Sequence, residues 1–134
     1  MIFIALLFAV VTNKDLADIH AVLDAQVAAW NRGDINGYMN GYARSDDTTF
    51  VSGDTVTHGW KTVLDRYRAK YGTTAKSMGT LGFSDLVLRP LGPDDVLATG
   101  AWGLSRRGET PHGRFTLIIH RTPAGWRIVY DHSS

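Results

Sequence analysis

Apart from a leading apolar run and one short hairpin, the spacing of apolar residues in this chain changes period at Gly72. Up to that point they recur at three- and four-residue steps, as in helices with one buried face; beyond it they alternate, as in strands. Leu16, Ile19, Leu23, Val27 and Trp30 form the first stripe, predicting a helix from Lys14 to Arg32 with Asn13 as its cap and Gly33 as its end. Asp34 caps a short second helix with Ile35, Tyr38, Met39 and Tyr42 on one side, although Gly37 and Gly41 lower its intrinsic stability. Thr48 to Ser52 and Thr55 to Thr57 flank a Gly53-Asp54 turn and predict a hairpin. A third helix is expected from Gly59 to Tyr71, striped by Trp60, Val63, Leu64, Tyr67 and Tyr71 and closed by Gly72.

Four β-prone runs follow: Thr80 to Arg89, Val96 to Ser105, Arg114 to Arg121 and Trp126 to His132, parted by clusters of Pro, Gly and Asp. Short connections make neighbouring strands antiparallel, so these runs predict a four-stranded meander. Helix, helix, hairpin, helix and meander together imply an α+β class, with three helices on one face of a curved sheet.

A chain of 134 residues, 44% of them hydrophobic, has room for one well-buried domain and is far from the composition of disordered chains. Fourteen Lys and Arg face thirteen Asp and Glu, which leaves no cationic field of the kind that phosphate-backbone binding needs; nucleic acid is not an expected partner. With no cysteine, thiol nucleophiles, thiolate metal sites and disulfides are excluded. Ile2 to Val11 is an unbroken apolar run, too short for the roughly 20 residues of a membrane span. Its length suits the core of an export signal, yet no Lys or Arg precedes it and no clear cleavage site follows. Residues 1–12 therefore read as a degenerate signal peptide or as an N-terminal extension, with one domain over 13–134. A signal implies a periplasmic or secreted protein; an extension implies a cytoplasmic one.

The string Ala29-Trp30-Asn31-Arg32-Gly33-Asp34, then Tyr38 and Tyr42, Phe50-Val-Ser-Gly53, His58-Gly59-Trp60, and the ending Gly125-Trp-Arg-Ile-Val-Tyr-Asp-His-Ser133 resemble the SnoaL-like branch of the nuclear transport factor 2-like superfamily. The resemblance runs from about Leu16 to Ser134. It is nearest to bacterial domains of unknown function and to the association domain of calcium/calmodulin-dependent kinase. It implies a cone-shaped α+β fold of the cystatin-like kind, an apolar cavity between helices and concave sheet, and a homodimer. It implies no single chemistry, because such folds serve isomerases, cyclases, dehydratases, binding modules and assembly domains.

Trp30, Tyr38, Tyr42, Phe50, Trp60, Tyr67 and Trp102 supply seven aromatic rings from separate segments, fit to line a pocket for a small hydrophobic or aromatic molecule or to fill a core. Asp131 and His132 are the most suggestive polar pair, and on a regular strand only one can face inward. The relatives turn Val129, Asp131 and Ser133 to the cavity and Trp126, Ile128, Tyr130 and His132 outward. By the same parity Phe115, Leu117 and Ile119 face inward. A carboxylate among apolar groups has its pKa raised, so Asp131 is the first candidate for proton transfer, with Tyr42 or Tyr38 as hydrogen-bond donor to an oxyanion. The bland alternative makes Asp131 a structural tie between the last strand and the first helix. Weaker candidates are His58 as a helix cap, Asp46 and Asp47 in a solvated turn, and Arg106 and Arg107 at a hairpin end.

The histidines at 20, 58, 112, 120 and 132 have no metal-binding helical spacing, and there is no nucleophile elbow, phosphate loop or dinucleotide fingerprint. No metal or cofactor is expected. Three functions follow: a small-molecule-binding domain, a cofactor-independent acid/base enzyme acting on a hydrophobic carbonyl compound, or a homo-oligomerisation domain.

Overall fold

A computed structural model of the chain describes Ile2 and residues 10–134. Most of the apolar run read as an export signal or extension, residues 3–9, lies outside them. Helices α1 (Asn13–Asn31), α2 (Ile35–Met39), α3 (Trp60–Tyr71) and α4 (Ala75–Met78) accompany six strands: β1 (Thr49–Ser52), β2 (Thr55–His58), β3 (Thr80–Pro90), β4 (Asp95–Ser105), β5 (His112–Thr122) and β6 (Gly125–Ser133). No helix among the described residues is long and apolar enough to cross a membrane.

The strands make one curved sheet in the order β2-β1-β6-β5-β4-β3. The class is α+β as expected, but the sheet is larger than a four-stranded meander. Strand β1 lies parallel to β6, pairing Phe50 with Asp131 and Ser52 with Ser133. That pairing is non-local, and no turn signal announces it. The fourth helix, α4, is a single turn held by a capping box between Thr74 and Ser77, too short for a periodic stripe.

Helix α1 starts one residue earlier than expected. Thr12 is its cap, accepting from the Asp15 amide while the Asp15 carboxylate accepts from the Thr12 amide at 2.9 Å. Buried polar residues, two on this helix and one before β1, carry information that periodicity cannot supply. Asp15 is buried because Arg121 donates to both its oxygens, at 3.0 and 3.2 Å, and the Trp126 indole donates to Oδ1 at 3.2 Å. Gln26 is buried because its amide donates to the Tyr38 carbonyl at 3.2 Å. Thr48 is buried with its hydroxyl on the Ala43 carbonyl at 2.6 Å. Gly41 has a packing reason as well: a Cβ there would collide with the Gln26 side chain.

Inward parity on β5 holds, with Phe115, Leu117 and Ile119 all buried. On β6 it holds only in part. The β5–β6 register slips between Ile118, opposite Tyr130, and Ile119, opposite Ile128, so Val129 is the extra residue of a bulge. Trp126 and Ile128, expected on the outer face, are therefore buried inward, and beyond the bulge Asp131 also points in. His132 is exposed. The bulge reverses parity upstream of Asp131, so it turns Ile128 inward and leaves His132 outside.

Candidate functional site

Between the helices and the sheet lies a cavity of about 140 Å³, similar in size to engineered cavities that accept benzene. Its aromatic wall comes from helices α1, α2 and α3 and from the sheet. Trp30, near the end of α1, is fixed by its indole donating to the Met78 carbonyl at 3.0 Å. Tyr38 and Tyr71 meet its ring edge-on at 4.9 Å each, and Tyr38 meets Tyr67 at 5.2 Å. Phe50 of β1 closes the wall at 5.3 Å from Tyr67. The edge-to-face contacts around Trp30 and between Tyr38 and Tyr67 hold these rings in defined orientations. The sheet contributes Leu104, Phe115, Leu117 and Ile128. Gly100 matters to this floor, because a Cβ on it would strike the Phe115 ring.

One polar line crosses the apolar cavity. The Tyr42 hydroxyl donates to Asp131 Oδ2 at 2.6 Å, and the Ser133 hydroxyl donates to Asp131 Oδ1 at 2.7 Å. Tyr38 lies 3.3 Å from Tyr42 and 3.3 Å from Tyr67, hydroxyl to hydroxyl. An ionised carboxylate only accepts, and each phenol has one proton. With Asp131 charged, Tyr42 therefore donates to it, Tyr38 donates to Tyr42, and Tyr67 donates to Tyr38. The chain of protons points at Asp131, and Tyr67 keeps lone pairs at its free end.

Asp131 is 4% exposed, and burial pushes its pKa up to about 6 against the opposing hydrogen bonds from Tyr42 and Ser133 and the nearby His132. Burial likewise raises all three tyrosines, helped by the Asp131 charge, so none of them ionises near neutrality. A carboxyl group poised near pH 6 beside a neutral phenol can accept a proton at one oxygen while the phenol stays a donor. Asp131 does not tie β6 to α1; that role belongs to Asp15, whose carboxyl is held well below its usual range by Arg121, then by Thr12 and Trp126.

Of the seven aromatic candidates, Trp30, Tyr38, Tyr42, Phe50, Tyr67 and Trp102 line the cavity. Trp60 does not: its indole donates to the Met39 carbonyl at 2.8 Å and the Arg44 guanidinium stacks over its ring at 4.2 Å. His58 is exposed, facing Thr49 across the hairpin at 3.1 Å, and the α3 cap is Gly59 with no side-chain bond. Asp46 and Asp47 are exposed in their turn. Arg106 is not a loose hairpin end, since it donates to the Ser77 carbonyl at 2.6 Å and the Lys70 carbonyl at 3.0 Å. Arg107 is exposed.

The lining includes Ser133, which the resemblance turned to the cavity, and also Gln26, Arg66, Lys70 and Tyr71, which were not among the sequence candidates. Spacing carries a signal for most of them. Gln26 lies four residues before Trp30 on one helix face, and Arg66 and Lys70 lie beside Tyr67 and Tyr71. Among the described residues no three His, Asp or Glu side chains group as metal ligands.

Residues 19–134 match the SnoaL-like domain. A nuclear transport factor 2-like protein of unknown function from Shewanella oneidensis is 34% identical, covering 89% of this chain and 98% of its own, with a TM-score of 0.84. A nuclear transport factor 2-like superfamily protein from Salmonella enterica, 24% identical over 90% of both chains with a TM-score of 0.73, shares the fold. So does a domain of unknown function with a cystatin-like fold from Nostoc punctiforme, 19% identical over 92% of this chain and 78% of its own, with a TM-score of 0.76. No curated protein matches the chain. By sequence over residues 19–134 and by likeness of fold over 89% of its length, the chain belongs to the SnoaL-like domain family of the nuclear transport factor 2-like superfamily.

Proposed function

We propose that this domain binds a small hydrophobic or aromatic molecule in the cavity between its helices and sheet. The observation that carries the reading is an apolar, ring-lined hollow crossed by one line of hydroxyls ending on Asp131. Edge-to-face rings from Trp30, Tyr38 and Tyr67 suit a flat ligand, and the Tyr67 end of the hydroxyl line offers it one oriented polar contact. Trp102 and Phe50 complete the wall, and the reading calls for no cofactor or metal. Native mass spectrometry of the protein purified from its host tests it. A small molecule released on denaturation supports binding; an empty protein that also takes up no ring-sized compound from a broad screen contradicts it.

One observation favours a second reading, a cofactor-independent acid/base enzyme of the isomerase, cyclase or dehydratase type. Asp131 combines a pKa pushed up to about 6 with a 2.6 Å bond from Tyr42, so a proton taken up by Asp131 frees the Tyr42 hydroxyl to donate to a developing oxyanion. Turnover of a bound carbonyl compound that stops in D131N distinguishes it from binding alone.

A homodimer belongs to the same proposal. One cross-strand row on the outer sheet face runs Leu97, Ile118, Tyr130, and these side chains stay partly exposed. Sedimentation of the wild type against Ile118→Glu reads it: a dimer that becomes a monomer supports the pairing, and a monomeric wild type removes it.

A further inference from the structure

The ligand's class follows from charges that the binding reading leaves unused. Helix α3 turns residues 66, 67, 70 and 71 to the cavity, two adjacent pairs one turn apart. Tyr67 and Tyr71 form ring wall; the half-buried Arg66 and the exposed Lys70 bring two positive charges beside it. The ion pairs among the described residues involve neither of them. Arg66 donates once, to Thr57 Oγ1 at 2.7 Å, and lies 5.4 Å from the Phe50 ring centre, so most of its guanidinium fork is unspent. The Lys70 ammonium makes no hydrogen bond among the described residues and sits 5.3 Å from the Tyr71 ring centre.

At the buried end the charge is opposite. Asp131 is the one acidic side chain in the lining, and its carboxylate is served by Tyr42 and Ser133, not by either cation. A ligand charge next to it would bring two negative groups together in an apolar space, which is strongly unfavourable. A ligand charge at the mouth meets two cations instead.

We infer that the cavity takes a small ring-bearing monoanion, an aromatic or alicyclic carboxylate, with its ring inward and its carboxylate between Arg66 and Lys70. This rests on the proposed binding function and narrows it. A hollow of about 140 Å³ holds one six-membered ring and little more, so the carboxylate is left at the rim. Dianions are disfavoured by Asp131 at neutral pH, and neutral ring compounds bind without the contribution of the rim.

The test is calorimetric titration at low ionic strength and pH 8 with phenylacetate and benzoate, each against its primary amide, and with phenyl phosphate. Each carboxylate is expected to bind at least about fivefold tighter than its amide, the margin of a charge-assisted contact at a part-exposed site, and added salt narrows that margin. In R66Q/K70Q the margin of carboxylate over amide, with both measured in that variant, disappears; R66K/K70R keeps the preference. K70Q alone, which breaks no hydrogen bond, loses part of it and covers the case of a poorly folded double variant. Amides that bind as tightly as carboxylates, a preference that survives R66Q/K70Q and K70Q, or phenyl phosphate binding tightest would each overturn the assignment while leaving the cavity reading intact. Failure of every one of these compounds to bind overturns both.

Discussion

The Tyr42 hydroxyl donates to Asp131 Oδ2 at 2.6 Å, linking the residue behind α2 to the last strand across 89 positions of sequence. This contact holds a buried charge and connects it to Tyr38 and Tyr67, so it bears on both stability and site chemistry. In Tyr42→Phe the carboxylate loses its shortest hydrogen bond. The variant is expected to lose about 1–3 kcal/mol at pH 8, where Asp131 is ionised, and less at pH 5. Denaturant unfolding at the two pH values checks this; equal losses at both would contradict it.

Replacing Asp131 itself has the opposite sign at neutral pH. Its folded pKa of about 6 lies above the ordinary 3.8, so between these values the folded protein holds a proton that the unfolded chain has released. Stability therefore falls as pH rises through that window, and the cost is complete above it and absent below it. Asp131→Asn is uncharged and can still accept from Tyr42, so it should be more stable than the wild type at pH 8 by up to about 3 kcal/mol, and its stability should be flat across the window. Unfolding curves from pH 4 to pH 8 read the slope directly.

At the other end of the molecule the sign reverses. Asp15 has its carboxyl held low by Arg121, Thr12 and Trp126, so its contribution is present above the ordinary carboxyl pKa and is lost as pH falls through the depressed one. Asp15→Asn is expected to lower the unfolding midpoint at pH 7, and the difference from wild type should shrink steadily in acid. A difference independent of pH would place the effect in packing alone.

The cavity makes its own prediction. Leu104 lines it and is 5% exposed, so Leu104→Phe puts added ring volume into the void. Stability should change by no more than about 1 kcal/mol, since filling a hollow offsets the strain of a larger side chain, while uptake of ring compounds is abolished. Trp60→Phe is the control. It breaks the bond to the Met39 carbonyl, at a cost of about 1 kcal/mol, and leaves uptake unchanged because the ring lies outside the lining.

Local signals carried most of the architecture. The stripe from Leu16 to Trp30, the cap at Asp34, the Gly53-Asp54 turn and the alternation after Gly72 each encode an element through neighbours a few residues away, and each element is present. What was illegible is non-local. Nothing near Thr49 announces a parallel partner in Tyr130, and nothing near Val129 announces a bulge, so the inward turn of Trp126 and Ile128 could not be read from strand parity. The site divides the same way. Tyr38, Tyr42 and Asp131 were visible as polar handles in apolar surroundings, whereas Asp15 and Gln26 look like ordinary surface residues until their partners Arg121 and the Tyr38 carbonyl are known. Trp60 lies outside the lining, and a helical stripe alone does not tell which of its rings meets a cavity and which packs against a neighbouring segment.

The most direct measurement is a carboxyl-carbon NMR titration of Asp131, in the free protein and with a ring compound bound. A midpoint near 6 in the free protein, moving higher when the compound displaces water from the hollow, is the predicted result. A midpoint at the ordinary 3.8 that no compound shifts would contradict a buried, ligand-facing carboxylate, and the binding and proton-transfer readings with it.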